Sequence, residues 1–170
     1  MIAIDQAHCD LIYGLIVSLK PRDVLEFGLG SGASATAIAK GLLFNDLKCS
    51  YTIVDNWHDW KGVEPGFHLE ALEFPLPIIV NQDETEFCNT LEKDSYDFIL
   101  SDADHANAEK NAGKLYYALR SPGIMIFHDV CNPGWPNLRV LKGSYANSVL
   151  FNKNSRDGEE CDRGLLVVFR

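Results

Sequence analysis

Three glycines at alternate positions, Gly28, Gly30 and Gly32, separate an apolar run from a helix-forming one. Asp23 to Phe27 reads as a short buried strand. Ala33 to Leu43 reads as a helix that starts on small residues. Glycines between a strand and a helix let the backbone turn tightly and let a ligand approach it closely. The start of the helix leaves unpaired N–H groups and a partial positive charge at the same place. The turn therefore predicts a cradle for a nucleotide-type cofactor, built from Gly28, Gly30, Ser31 and Gly32.

The rest of the chain repeats the strand–helix alternation. Residues 4 to 19 carry Ile4, Cys9, Ile12, Leu15, Ile16 and Leu19 at roughly helical spacing, and Pro21 stops that helix. Further strands are predicted at Tyr51 to Val54, Pro77 to Val80, Tyr96 to Leu100 and Ile124 to Phe127. Helices are predicted at Phe67 to Phe74, Glu84 to Leu91 and Asn107 to Leu119, with loops at 56 to 66 and 130 to 137 and a turn at Ser121-Pro122-Gly123. Two last strand-like runs, Ser148 to Phe151 and Gly164 to Phe169, flank a polar stretch too short for a crossover helix, so they read as an antiparallel hairpin. Alternating units imply an α/β fold: a Rossmann-like doubly wound sheet, mostly parallel, in three α/β/α layers with a C-terminal antiparallel strand. The 170 residues suit one domain spanning 1–170, with 1–20 as an N-terminal helix.

Composition narrows the partner. The net charge is −9, with no Lys/Arg run to form a basic face, which argues against nucleic acid and for a small molecule. No apolar stretch reaches membrane-spanning length, and Asp5, His8 and Asp10 interrupt any secretion-signal core, so a cytoplasmic protein without a membrane partner is expected. The five cysteines are scattered and form no C-x-x-C pair, which excludes a zinc ribbon and fits reduced thiols. Self-association as a homodimer is left open.

In an open parallel sheet, ligands bind beyond the carboxyl ends of the strands. Each predicted parallel strand ends on or near an acid: Glu26, Asp55, Asp83, Asp102 and the pair His128-Asp129. Glu26 closes a strand otherwise fit for burial, where a carboxylate is costly unless satisfied. An ammonium-bearing cofactor would satisfy it, directly or through water, and a pyrophosphate would be repelled. Asp55 suits the hydroxyls of a ribose. Asn56 and Trp57 follow, and Trp57 either stacks beside an adenine or packs its loop. Asp83 accepts from the adenine amino group or caps the next helix, and the two roles are compatible. Asp102, His105, His128 and Asp129 gather at neighbouring strand ends, where they either hold a divalent cation or act as acid–base groups.

The glycines alone fit the dinucleotide fingerprint in its G-x-G-x-x-A form, Gly28, Gly30 and Ala33. Taken together, VLEFGLGSG (24–32), YTIVD (51–55), NQD (81–83), YDFILSD (96–102) and LRSPGIMIFHD (119–129) resemble class I S-adenosylmethionine-dependent methyltransferases over most of the chain. The segments SDADHAN (101–107) and His128-Asp129-Val130 are most similar to small-molecule O-methyltransferases, in the branch with cephalosporin-hydroxylase-like and macrocin-type sugar methyltransferases. That resemblance implies S-adenosylmethionine as cofactor, bound by Glu26, Gly28, Gly30, Ser31, Gly32, Asp55, Asn56, Trp57, Asp83 and Asp102. It also implies a cation on Asp102, His128 and Asp129, with Asp102, His105 and His128 as the catalytic residues. His128 stands where the branch usually has a carboxylate or an amide, which makes magnesium less natural and admits a softer metal or none. The chain also lacks the insertions that usually form a substrate lid. The competing readings are a nicotinamide-dependent oxidoreductase and a non-catalytic cofactor-binding subunit.

Overall fold

The computed structural model describes residues 4–46, 48–57, 77–151 and 163–170. The elements are α1 (Gln6–Leu19), β1 (Asp23–Phe27), α2 (Ala33–Asn45), β2 (Ser50–Asp55), β3 (Ile78–Asn81), α3 (Glu84–Cys88), β4 (Tyr96–Ser101), α4 (Ala108–Ala118), β5 (Leu119–His128), a 3-10 helix (Pro136–Gly143), β6 (Ser148–Phe151) and β7 (Leu165–Phe169). The strands form one sheet in the order β3-β2-β1-β4-β5-β7-β6. β1 to β5 run parallel; β7 pairs antiparallel with β5, and β6 antiparallel with β7. The expected doubly wound sheet with its terminal hairpin is the observed one. The helix expected at 67–74, the loop at 56–66 beyond Trp57 and the hairpin loop before Arg163 lie outside the described residues.

The inner strands are buried on both faces, which is why they read as continuous apolar runs rather than as alternations. Val24, Phe98, Leu100 and Ile126 face one core, closed by α1 and α2 through Ile12, Ile16, Ile38 and Leu42. Leu25, Phe27, Ile99 and Phe127 face the other, closed by α4 and the 3-10 helix through Leu115, Leu138 and Leu141. The chain begins in the middle of the sheet, winds out to β3 and returns beside β1 as β4. The carboxyl ends of β1 and β4 thus diverge at a switch point, and the loops that follow them enclose a crevice.

Two local differences have physical causes. The Ser121-Pro122-Gly123 turn does not delay the fifth strand: Tyr96 pairs with Leu119 and Phe98 already with Ile124, so the turn is looped out of a longer strand. The 3-10 helix begins inside the expected loop at 130–137 and was not anticipated. Its signals are Pro136 at the first turn and buried Leu138 and Leu141, spaced by the three residues of a 3-10 turn.

The opposite edge of the sheet is tied by charge. Asp97, near the start of β4, accepts from the backbone N–H groups of Arg22 (2.8 Å) and Asp23 (3.0 Å). Arg120 reaches Asp97 (2.5 Å), Asp23 (3.1 Å) and the carbonyls of Asp94 and Ser95. One guanidinium thereby clamps the beginnings of β1, β4 and β5.

Candidate active site

The glycine turn has the backbone its sequence demands. Gly28, Gly30 and Gly32 all have positive φ, at 92°, 48° and 78°. At Gly28 a Cβ would also lie 2.5 Å from the Asp102 carbonyl oxygen, so only glycine lets β1 and β4 approach at the switch point. Asp55 holds the turn in place: one carboxylate oxygen accepts from Leu29 N–H at 2.8 Å and the other from Trp57 N–H at 2.7 Å. Each oxygen keeps a lone pair for a ligand.

Turn, strand ends and the loop after β5 line a cavity of about 520 Å³, among them Gly30, Ser31, Asp55, Asn56, Asp83 and Asp102. That volume is in the range of small-molecule pockets. Gly32 is the N-cap of α2. Asp83 lines the cavity and also caps α3, accepting from Glu86 N–H at 3.1 Å. Of the two roles expected for Trp57 the packing one is seen: its side chain packs against the core beneath α1 and α2.

Glu26 is not exposed to the cavity. Its side chain is fully buried and is satisfied by protein, accepting from the Ser34 hydroxyl at 2.5 Å and from the Tyr51 hydroxyl. An ammonium partner is therefore not needed to satisfy this carboxylate: hydroxyls from α2 and β2 do so. Burial pushes its pKa up to about 7, against the pull of those two hydroxyls.

The other end of the cavity is a carboxylate–imidazole cluster. Asp102, His105, His128 and Asp129 each bring a ligand atom within 4.8 Å of the others. His105 Nδ1 lies 3.0 Å from the Ala103 carbonyl, which can only accept, so Nδ1 carries the hydrogen. In the neutral ring Nε2 is then a bare lone pair. It lies 3.3 Å from Asp102 Oδ1 and 3.2 Å from Asp129 Oδ2, is buried, and makes no well-aligned hydrogen bond. A lone pair among two carboxylates needs positive charge between them, supplied either by a proton or by a cation. With the proton there, burial lowers the His105 pKa but the two carboxylates outweigh it, to about 10. A ring held protonated in this way is a poor base at neutral pH.

His128 sits behind this group. Its Nδ1 is 2.9 Å from Asp102 Oδ1 and its Nε2 is 3.2 Å from His8 Nδ1, so both ring nitrogens are engaged within the protein. Burial opposes ionisation of Asp102, but the His128 and His105 imidazoles hold its carboxyl well below the usual range. Asp129, likewise buried, is held at about 2 by His105 and Arg163, whose Nε lies 2.7 Å from Asp129 Oδ1. Trp135 stacks on His105 with centroids 5.3 Å apart, and Asn137 donates to the His105 carbonyl at 2.8 Å.

Four contributors were not anticipated. Glu84 lines the cavity as a buried carboxylate, accepting from Ser101 Oγ (3.2 Å) and Asp104 N–H (3.0 Å), and burial pushes it up to about 7. It ties α3 to the loop that carries Asp102 and His105. His8 is legible in hindsight, because it shares a four-residue spacing with buried Ile12 and Ile16. Trp135 and Arg163 lie in irregular chain and give no periodic signal.

A model of the methyltransferase domain matches residues 25–130. The chain belongs to the methyltransferase domain family. The methyltransferase is similar in structure to a cofactor-bound protein from MTB, at 17% identity over 99% of this chain and 82% of the other, with TM-score 0.81. It is also similar to an O-methyltransferase from Bacillus cereus in complex with SAH (15% identity, 99% and 83% covered, TM-score 0.77). A third similar structure is the O-methyltransferase TomG from Streptomyces achromogenes, in complex with SAM (14% identity, 98% and 81% covered, TM-score 0.76). At such identities the likeness is one of fold. No curated protein sequence matches the chain. The family match and the fold together bear out the expected class I S-adenosylmethionine-dependent methyltransferase, and do not favour the nicotinamide-dependent oxidoreductase. Among the described residues, no helix of the methyltransferase is long and apolar enough to cross a membrane.

Proposed function

We propose that this methyltransferase transfers a methyl group from S-adenosylmethionine to a hydroxyl oxygen of a small molecule. The observation that carries the reading is that one cavity joins the glycine turn and Asp55 to the cluster of Asp102, His105 and Asp129. When bound, the cofactor supplies an electrophilic methyl group on a sulfonium. The acceptor oxygen gives its proton to solvent water and bonds the methyl carbon while the carbon–sulfur bond breaks, its electron pair staying on the sulfur of S-adenosylhomocysteine.

The chain's own residues do three things. Gly28, Gly30, Ser31 and Gly32 offer backbone at close approach, and Asp55 and Asn56 take the polar edge of the nucleoside, with Asp83 beside them. The cluster at the far end positions the acceptor and stabilises the oxygen as it loses its proton. The bare Nε2 of His105 between two carboxylates is a donor set that fits a divalent cation, held by Asp102, His105 and Asp129 with His128 bonded behind Asp102. An imidazole among the donors favours a borderline metal over magnesium. Such a cation would lower the acceptor's pKa and orient it.

Calorimetry tests the cofactor. S-adenosylhomocysteine is expected to bind, and Asp55→Ala to weaken it about 100-fold, or roughly 2.7 kcal/mol, through lost ribose contacts and a loosened turn. Tight NADH binding without S-adenosylhomocysteine binding would overturn the assignment. Screening hydroxylated acceptors with labelled methyl donor then identifies the substrate; silence across the screen despite tight cofactor binding would favour a non-catalytic subunit.

A further inference from the structure

α1 precedes the first strand and lies outside the strand–helix alternation, yet it sends a side chain into the catalytic cluster. His8 is 3% exposed. Its ring meets His128 edge-on, with centroids 5.2 Å apart and planes at 84°, and Nδ1 lies 3.2 Å from His128 Nε2. The helix start is fixed by Asp5, whose carboxylate accepts from His8 N–H at 2.9 Å. Ile12 and Ile16, on the same stripe, are fully buried against the core. The ring is thus anchored from both sides along the helix.

We propose that His8 is a positioning residue for methyl transfer, holding the His128 ring so that its Nδ1 stays directed at Asp102. The consequence for catalysis rests on the methyl-transfer reading; the geometry does not.

The hydrogens support this. A carboxylate only accepts, so His128 Nδ1 carries a hydrogen toward Asp102. One further hydrogen lies between His128 Nε2 and His8 Nδ1, on one ring or the other, and the contact persists either way. His8 Nδ1 also lies 3.5 Å from Asp5 Oδ2, which favours the hydrogen on His8, while His8 Nε2 has no hydrogen-bond partner among the described residues. A half-turn of the His128 ring would place carbon at both positions and lose both bonds. The bond to Asp102 alone opposes that turn from one side; His8 opposes it from a different element. Asp102 is thereby kept in register with His105, whose Nε2 shares the same carboxylate oxygen.

Three variants test the proposal. Asn at position 8 places an amide nitrogen where Nδ1 stands, Gln places it near Nε2, and Leu supplies volume without polarity. In histidine-labelled, chelator-treated protein, NMR is expected to show a slowly exchanging His128 Nδ1–H in the wild type. His8→Asn should retain it, whereas His8→Leu and His8→Gln should broaden or lose it. Turnover should fall about 10- to 100-fold in His8→Leu, as for other groups that orient an active-site residue. The KM for S-adenosylmethionine should stay within about twofold, and His8→Asn should recover most of the rate. An unchanged His128 N–H in His8→Leu, or Gln performing as well as Asn, would overturn the proposal. If His8→Leu does not fold, the Asn–Gln comparison still decides. A wild type without methyl transfer would sink the functional reading, and the NMR comparison would still decide the role of His8.

Discussion

Replacing Asp102 by alanine is expected to lower methyl transfer by about 10³-fold, the scale for losing a preorganised electrostatic contact in an active site. Two imidazoles depend on this one carboxylate. His128 Nδ1 and His105 Nε2 both face its Oδ1, and it shares His105 with Asp129. Asp102→Asn separates the roles, because the amide oxygen still accepts from His128 but the charge is gone. If the carboxylate serves to bring a cation or to order charge at the acceptor, Asn is nearly as inactive as Ala while the protein melts close to wild type. Turnover near that of wild type in Asp102→Asn would remove the carboxylate from the mechanism. Chelation of the wild type is expected to abolish turnover while S-adenosylhomocysteine affinity stays within about twofold. Activity unchanged in EDTA would eliminate the cation and leave the positive charge of the cluster to His105.

Stability should fall as pH rises from about 5 to 8, and Glu26→Gln should flatten part of that fall. Burial raises Glu26 from an ordinary 4.5 to about 7 in the folded protein. Below the unfolded value both states hold the proton, and the contribution is fully present. As pH rises, the unfolded chain loses its proton first, so the folded state binds more protons and loses stability until pH passes about 7. The interval corresponds to roughly 3 kcal/mol by linkage. Glutamine has no proton to lose and can still bond Ser34 and Tyr51. Urea unfolding should therefore show the two proteins similar near pH 5 and Glu26→Gln the more stable near pH 8. Parallel stability curves across this range would refute the buried, proton-holding Glu26.

The strands were legible because burial on both faces leaves little choice: Val24 to Phe27 is apolar but for Glu26 and ends at the glycine turn, and Phe98 to Leu100 is wholly apolar and ends at Ser101-Asp102. The acids at those ends were legible for the same reason. What each acid touches was not. Glu26 belongs to hydroxyls on α2 and β2, because Ser34 and Tyr51 converge on it only when the helix folds back over the sheet. His128 was placed at the correct strand end, but its ring direction depends on His8, 120 residues earlier in the chain. The chemistry at a strand end is local in position and non-local in partners, and periodicity reads only the first.

The Arg120 clamp has a consequence for how such a protein can change. It ties the beginnings of β1, β4 and β5, while the glycine turn, Asp55 and the acidic cluster lie at the strands' far ends. Cohesion and chemistry occupy opposite rims of one sheet. Loops on the ligand rim can be shortened, extended or exchanged without untying the other rim, which makes that rim the place to engineer a new acceptor preference.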